Sequence, residues 1–311
     1  MSLIEQAAKR LEQLREAGVD IPEDDAPEEV IARPLRPSRM DGGAEKKIAV
    51  EGASQPPAQS RQIELDLNGL AAAGIISPTA PRSHISDEYR VIKRPLITNA
   101  MGKGASPILN GNLIMVTSAM PGEGKTFSAI NLAMSIAMEL DNTVMLVDAD
   151  VARPSVLSML GKPPEPGLLD MLVDDSIPLS SLLLRTNVEK LTILPSGTQH
   201  DRATELLASD AMGRLVDDMS TRYPDRIIIF DSPPLLMTTE SRVLASHMGQ
   251  IVMIVHAQRT LHGQVKQALA TIANCPVKLL LLNQSRAKPG DGYGYGYGYD
   301  YGYGYGYGKG G

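Results

Sequence analysis

The chain has 311 residues, with 30 basic and 36 acidic side chains and a net charge of −6. This balance argues against broad nucleic-acid binding, because such binding needs a basic footprint. Hydrophobic residues make up 43% of the chain but aromatic ones only 4%, so we expect an aliphatic core like that of a buried parallel sheet. The lone cysteine, Cys275, excludes an internal disulfide framework. Because no apolar run approaches the roughly 20 residues of a membrane span, and charges come too early for a signal peptide, we expect a cytoplasmic protein.

The first 84 residues are predicted to precede the main domain. Apolar residues at helical spacing in residues 2–17 form one stripe, and Gly18 ends it, so residues 1–18 are predicted to be an amphipathic helix. This helix is expected to dock on the body of the chain, on a partner or on a membrane surface. Residues 19–60 hold six prolines and an acidic run before a basic patch, which is typical of a disordered linker. Residues 61–84 are predicted to contain a short helix, over 61–75, and a connector.

From about residue 85, short apolar runs alternate with helix-like stretches. The six runs that we predict to be strands are 113–118, 143–148, 191–195, 226–231, 251–256 and 278–283. Each is continuously hydrophobic, as expected for strands covered on both faces. The alternation predicts a three-layer α/β fold with a mostly parallel central sheet, in a domain over residues 85–288. Ligands of such sheets bind beyond the carboxyl ends of the strands.

The strongest motif lies where the first of these strands meets a helix. Residues 119–126 read A-x-x-x-x-G-K-T, a phosphate-binding P-loop with alanine at the usual first glycine. Glycines let backbone N–H groups close around phosphate oxygens, and the helix N-terminus adds partial positive charge. Lys125 is expected to reach the terminal phosphates, and the Thr126 hydroxyl to bind Mg²⁺. The predicted ATP-binding residues are Ala119, Met120, Pro121, Gly122, Glu123, Gly124, Lys125, Thr126 and Phe127.

Two further strands deliver carboxylates to the same edge of the sheet. Asp148 and Asp150 follow the run at 143–148 and lie on the same side, because side chains alternate along an extended chain. Two carboxylates so close repel each other unless a cation is near, and a magnesium nucleotide supplies one. Asp231 ends the run at 226–231, as in a Walker B strand, and is expected to hold Mg²⁺. We predict that Lys125, Asp148, Asp150 and Asp231 are catalytic, that Thr126, Asp148 and Asp231 bind the metal, and that the reaction is nucleotide hydrolysis or phosphoryl transfer.

The C-terminal segment suggests an acceptor for the phosphoryl group. Residues 289–311 are expected to be disordered, since glycine at nearly every second position of 292–308 weakens both helix and strand. Those residues, when extended, reach about 55 Å, enough to enter the site of a neighbouring subunit. A phenol with a pKa near 10 needs a base as it attacks, and Asp148 is our candidate. An unmodified spacer or adhesive segment is the alternative. The predicted phosphoacceptors are Tyr293, Tyr295, Tyr297, Tyr299, Tyr301, Tyr303, Tyr305 and Tyr307.

The segments AMPGEGKT (119–126), LVDAD (146–150) and IIIFDSPP (227–234), with the terminal tyrosines, resemble the bacterial tyrosine kinases, or BY-kinases. Their P-loop ATPase fold is related to MinD and ParA, and the resemblance covers about residues 85–311. It is greatest to the autokinases associated with exosortase exopolysaccharide clusters. The resemblance implies ATP-dependent autophosphorylation of the tail tyrosines, in trans within a ring-shaped homo-oligomer, with ATP and Mg²⁺ as cofactors. It implies a role in exopolysaccharide polymerisation and export.

The same resemblance implies particular partners. These are a membrane chain-length regulator that acts as activator and a cognate tyrosine phosphatase, with no nucleic acid, so the protein is expected to be peripheral at the inner membrane. The family's interface motif, E-x-x-R-x-x-R, is matched by Asp87, Arg90 and Lys93, which we predict at an oligomer interface. Two of these three are conservative replacements. The chain also has Ala152, followed by Arg153, where the family usually has arginine.

Two other functions remain open on the sequence. A spatial-regulator ATPase of the MinD or ParA kind would use ATP-driven dimerisation without a protein acceptor, but those proteins carry an extra lysine where this chain has Met120. A nonenzymatic scaffold would have no need of the retained lysine and aspartates. Asn283, at the end of the last predicted strand, is expected either near the adenine or as a turn amide.

Overall fold

The computed structural model describes residues 61–223 and 225–285, so the predicted N-terminal helix, linker and C-terminal tail lie outside the described residues. The strands are β1 (Arg61–Ile63), β2 (Leu113–Ser118), β3 (Thr143–Asp148), β4 (Leu184–Thr186), β5 (Leu191–Leu194), β6 (Arg226–Asp231), β7 (Gln250–His256) and β8 (Val277–Asn283). The helices are α1 (Leu67–Ala72), α2 (His84–Ala100), α3 (Lys125–Ala137), α4 (Val156–Met159), α5 (Leu168–Val173), α6 (Leu179–Leu182), α7 (Ala203–Leu207), α8 (Asp210–Arg222), α9 (Glu240–Ser246) and α10 (His262–Thr271). Across these two stretches, no helix combines the length and the apolar character that a bilayer crossing requires.

All eight strands form a single sheet in the order β1-β4-β5-β3-β6-β2-β7-β8. Neighbouring strands are parallel, except for the antiparallel pair β4 and β5. Strands β3, β6 and β2 lie at the centre and are buried along nearly their whole length. The predicted α/β fold with a mostly parallel sheet is therefore confirmed.

The central strands separate two hydrophobic layers. Successive side chains of a strand point to opposite faces, so Met115 and Phe230 pack into one layer, whereas Ile114 and Ile229 pack into the other. Helix α3 lies in the second layer and buries most of its length. Because α3 begins directly after the turn that follows β2, this burial fixes the position of that turn above the sheet edge.

The structure confirms the six predicted strands within one residue at each end, and it differs from expectation at three places. Residues 61–63 form strand β1 rather than helix, and the helix predicted over 61–75 is limited to α1. Strand β1 pairs with β4, and Leu65, Leu70, Ile75 and Ile76 are buried in the second hydrophobic layer, so residues 61–76 pack on the sheet. Strand β8 is not covered on both faces, because it is an edge strand with Leu280 and Leu282 exposed by 56% and 62%.

Candidate nucleotide-binding and catalytic site

A glycine-rich turn joins β2 to α3 at the carboxyl edge of the sheet. Gly122 and Gly124 have φ angles of 81° and 92°, in the left-handed region that favours glycine. A Cβ at Gly124 would lie 2.1 Å from Nδ2 of Asn283, so a side chain is excluded there by space as well as by φ. The turn therefore leaves its backbone N–H groups free of side-chain cover at the N-terminus of a buried helix, which is the geometry that binds phosphate.

Three hydrogen bonds that involve side chains hold this turn in place. The Glu123 carboxylate accepts a hydrogen bond from the Met120 backbone N–H at 3.1 Å and another from the Thr260 hydroxyl. The Asn283 amide donates to the Glu123 carbonyl oxygen at 2.8 Å. This bond makes Asn283 a turn amide, and its predicted position near the adenine stays a prediction. Thr260 was not anticipated, because it lies after β7 and nothing in its local sequence links it to residue 123.

The remaining residues predicted to bind ATP take different positions in the turn. Ala119 is fully buried beneath it, Met120 is partly buried, and Pro121 is exposed. Phe127 lies in the first turn of α3 and is partly buried against the second hydrophobic layer. The structure thus brings residues 119–127 together as one turn and helix start.

The predicted catalytic carboxylates meet beside the turn. Asp148 of β3 and Asp231 of β6 are directly opposite each other in the sheet register. One Asp148 oxygen, Oδ2, accepts from the backbone N–H groups of Ser155 and Val156 at 3.1 and 3.0 Å. The other Asp148 oxygen and both oxygens of Asp231 have no hydrogen-bond partner among the described residues. Buried oxygens of this kind need a cation or a donor.

Lys125 places its charge within this group of carboxylates. Its Nζ lies 2.5 Å from Oδ2 of Asp150 and 4.0 Å from Oδ1 of Asp231. Burial alone would lower the pKa of Lys125, but the nearby carboxylates of Asp231 and Asp150 outweigh it and raise the pKa. The lysine is therefore a fixed positive charge at neutral pH.

Burial also controls the two carboxylates at the strand ends. It raises the pKa of Asp148 to about 7, with the charge of Asp231 adding to the effect and two backbone N–H groups opposing it. It raises the pKa of Asp231 to about 6, where the Lys125 ammonium limits the rise. The site thus concentrates negative charge that a single lysine only partly compensates.

These groups fit a magnesium ion. The Thr126 hydroxyl lies 2.9 Å from the Ser155 hydroxyl, and Asp148 and Asp231 have unpartnered oxygens at the paired ends of strands β3 and β6. Mg²⁺ takes oxygen ligands, usually from one or two carboxylates with substrate phosphates and water completing the shell. Residues 61–223 and 225–285 contain no cluster of three histidine, cysteine or acidic side chains able to hold a metal alone. The donors present match an ion shared with a nucleotide.

The three residues predicted at an oligomer interface differ in exposure and in their contacts. On α2, Asp87 is exposed and Arg90 is partly buried, and their side chains lie 3.4 Å apart. Lys93 is 5% exposed, and its ammonium contacts Glu139 at 2.7 Å and the Ser135 carbonyl oxygen at 2.5 Å. Lys93 therefore joins α2 to α3 within one chain. The eight predicted phosphoacceptor tyrosines lie outside the described residues.

The chain is similar to known proteins over the region that contains this site. A family model described as an AAA domain matches residues 111–283, which include the turn, Lys125 and the three aspartates. The chain is 32% identical over 206 residues to the tyrosine-protein kinase YwqD of Bacillus subtilis, covering 66% of this chain and 83% of YwqD. It is 28% identical over 211 residues to the succinoglycan biosynthesis transport protein ExoP of Rhizobium meliloti, of which it spans 26%. The crystal structure of the chimerical protein CapA2B2 aligns with a TM-score of 0.55 at 26% identity, covering 72% of this chain and 93% of that one.

Proposed function

The chain belongs to the AAA-domain family and is a bacterial protein-tyrosine kinase, and from this premise we propose that it transfers the γ-phosphoryl group of ATP to tyrosines of its own C-terminal segment. The observation that carries the proposal is the convergence of Lys125 with Asp148, Asp150 and Asp231 beside a phosphate-binding turn. Eight tyrosines between residues 293 and 307 supply acceptors in the same chain.

The geometry supports a specific placement of ATP. Its phosphates would lie on the backbone N–H groups around Gly122 to Thr126, where the start of α3 adds partial positive charge. Lys125 would exchange its contact with Asp150 for the terminal phosphate, which carries more negative charge. Thr126, Asp148 and Asp231 would hold Mg²⁺, which when bound neutralises charge on the β- and γ-phosphates.

The transfer needs a proton acceptor beside the phosphate. The phenol oxygen would give an electron pair to the γ-phosphorus and its proton to the Asp148 carboxylate. The bond between the γ-phosphorus and the bridging oxygen breaks, and its electron pair stays on ADP. The products are phosphotyrosine, ADP and one proton, which Asp148 returns to solvent.

We propose further that the acceptors belong to a neighbouring copy in a ring-shaped homo-oligomer. An extended segment of residues 292–308 reaches about 55 Å, enough to span from one copy to the site of the next. Phosphorylation of all eight tyrosines would add about 12 to 16 negative charges. Such a change would weaken an assembly that depends on tail contacts, and a cognate tyrosine phosphatase would reverse it.

The proposed process is regulation of exopolysaccharide synthesis and export. It rests on the resemblance to polysaccharide-associated autokinases and on the similarity to ExoP, which is named for succinoglycan biosynthesis and transport. In this proposal the chain is held at the inner membrane by a chain-length regulator that also activates it.

Intact-mass measurement tests the reaction. We expect additions of 80 Da after incubation with Mg-ATP, lost on deletion of residues 292–308 and on Lys125→Met substitution. Additions that persist in Lys125→Met would refute the assigned site. ATP turnover without any mass change would instead indicate a spatial-regulator ATPase, and absence of both in the presence of the proposed membrane activator would indicate a scaffold.

A mixing experiment tests transfer between copies. Active protein lacking residues 292–308 is incubated with full-length Lys125→Met protein, which retains its tail. We expect phosphate on the tail of the inactive chain. An unmodified tail in this mixture, with normal autophosphorylation of the wild type, would show that transfer occurs within one chain.

A further inference from the structure

A basic pocket of about 380 Å³ lies between α2 and the end of α3, away from the residues assigned to ATP. Its volume is in the range of pockets that bind small molecules. Four of its lining side chains are basic, one is acidic and one carries a hydroxyl that faces them: Arg82, Arg90, Lys93, Arg94, Glu139 and Ser86. The pocket therefore has the chemistry of an anion site.

The spacing of these residues along α2 aligns them on one face of the helix. Ser86, Arg90 and Arg94 follow one another at intervals of four residues, so they lie one above another. Arg82 comes just before the N-cap residue Ser83 and extends the row to the helix N-terminus, which adds partial positive charge. The pocket thus brings together three guanidinium groups, whose paired N–H donors match the oxygens of a phosphate.

Nearby carboxylates compensate only part of the basic charge. Lys93 contacts the Glu139 carboxylate at 2.7 Å, and Arg94 contacts the same group at 3.7 Å. The hydrogen bond from Lys93 lowers the pKa of Glu139, and the charges of Arg94 and Arg90 lower it further. Arg90 also contacts Asp87 at 3.4 Å. Four basic side chains against these two acidic ones leave a formal charge of +2, which matches the charge of about −1.5 to −2 on one phosphotyrosine.

The C-terminal segment leaves the sheet beside this same helix. Gln284 and Ser285, which follow β8, line an apolar groove together with Ile85 and Glu88 of α2. The first of the eight tail tyrosines comes eight residues after Ser285, a reach of about 27 Å when the chain is extended. Because a helix with its side chains is only about 10–12 Å across, the tail tyrosines can reach the basic face of α2 in their own chain.

We infer that the basic pocket binds a phosphotyrosine of the C-terminal segment. The unmodified segment offers the arginines little to bind, since residues 286–311 contain three basic and two acidic side chains. Each phosphate adds negative charge and oxygen acceptors for the guanidinium groups. The pocket would therefore take the product of the kinase reaction and not its substrate, and the inference rests on that proposed reaction.

The pocket is separate from the nucleotide site. Its lining from Ser135, Met138 and Glu139 lies at the C-terminal end of α3, whereas the phosphate-binding turn lies at the start of that helix. The 13 residues of α3 span about 20 Å. A phosphorylated tyrosine bound here is held away from the turn, which leaves the nucleotide site open to the next acceptor.

Binding of a synthetic peptide to the full chain tests the inference without turnover. The peptide is residues 292–308 with one phosphotyrosine, at Tyr297, and ADP is present to occupy the phosphate-binding turn. By fluorescence anisotropy we expect it to bind at least tenfold more tightly than its unphosphorylated form. Arg82→Gln and Arg94→Gln should each weaken this binding at least fivefold. The matched control is Arg214→Gln, exposed on α8 on the opposite face of the sheet, which should change Kd less than twofold.

Three results would overturn or separate the two proposals. Equal affinity for the two peptides, or a phosphopeptide Kd that Arg82→Gln and Arg94→Gln leave unchanged, would overturn the inference. Binding to phosphatidylglycerol vesicles that these two variants remove, without phosphopeptide binding, would also overturn it and assign this face to a lipid surface. A chain that binds the phosphopeptide through these arginines but forms no phosphotyrosine with Mg-ATP and its activator would refute the proposed reaction and retain the phosphotyrosine site.

Discussion

Replacing Asp148 with asparagine should stabilise the nucleotide-free protein at alkaline pH. Asp148 is 2% exposed, and burial raises the pKa of its carboxyl from an ordinary 3.8 to about 7. The folded protein therefore keeps this proton to a higher pH than the unfolded chain does. Stability is lost as pH rises from about 4 to about 7, because the carboxylate must then be charged inside the protein.

The size of the effect follows from that difference in pKa. At about 1.4 kcal/mol per pH unit, the charged carboxylate costs about 4 kcal/mol above pH 7. Asparagine can still accept the N–H groups of Ser155 and Val156, but its amide donor would lack a described partner, which costs about 1–3 kcal/mol. The net gain at pH 8 is about 1–3 kcal/mol, or roughly 2–12 °C in Tm for a domain of this size. Phosphoryl transfer should be lost at the same time.

Thermal unfolding from pH 4 to pH 8, with EDTA and without nucleotide, measures this gain. We expect the Tm of Asp148→Asn to exceed that of the wild type at pH 8 and the difference to vanish or reverse at pH 4. The control is Asp174→Asn, since Asp174 is exposed and its pKa is lowered by hydrogen bonds from Ser176. It should give no gain at pH 8. A gain for Asp148→Asn that is equal at pH 4 and pH 8, or no gain at either, would refute the electrostatic explanation.

Two further substitutions test the turn and the contact between α2 and α3. Gly124→Ala should weaken ATP binding at least 100-fold, because the new Cβ meets both an unfavourable φ and the Asn283 amide. Gly122→Ala should weaken binding less, because it has the φ penalty but no described atom within 4 Å of the new Cβ. Isothermal titration that ranks the two variants the other way would contradict this. Lys93→Met should destabilise the fold by about 2–3 kcal/mol in urea unfolding, because among the described residues it leaves the Glu139 carboxylate with only the longer contact to Arg94. Adding Glu139→Leu should recover most of that loss, and a double variant no more stable than the single one would show that the ion pair is not the cause.

The sequence predicted the centre of the fold, and which residues meet at the candidate site, because both depend on local patterns. Central strands such as β3 and β6 are continuous aliphatic runs, and each ends in an aspartate at the same sheet edge. The P-loop spacing likewise identifies its own strand, turn and helix. Short or peripheral elements lacked such a signal. Strand β1 has only three residues and depends on pairing with β4, which no local pattern reveals.

Contacts between residues far apart in the chain were the other features that the sequence did not predict. The support of Glu123 by Thr260 joins positions 137 apart in the chain. The motif around Lys93 gave no sign that this side chain is buried against Glu139. The sequence of strand β8 is typical of a fully buried strand, yet β8 lies at the sheet edge, where Leu280 and Leu282 are exposed. Strand order decides burial here, and a single sequence does not contain that order.

The most direct test of the proposed transfer follows a labelled phosphate from ATP to the tyrosines of the C-terminal segment. The full chain is incubated with Mg-ATP labelled at either the γ- or the α-phosphate, followed by phosphoamino-acid analysis and peptide mapping of residues 292–308. We predict label from the γ-position only, on tyrosine only, within that peptide, and none in Lys125→Met. Label on serine or threonine, or phosphotyrosine confined to Tyr89 and Tyr223 with residues 293–307 unmodified, would contradict the account.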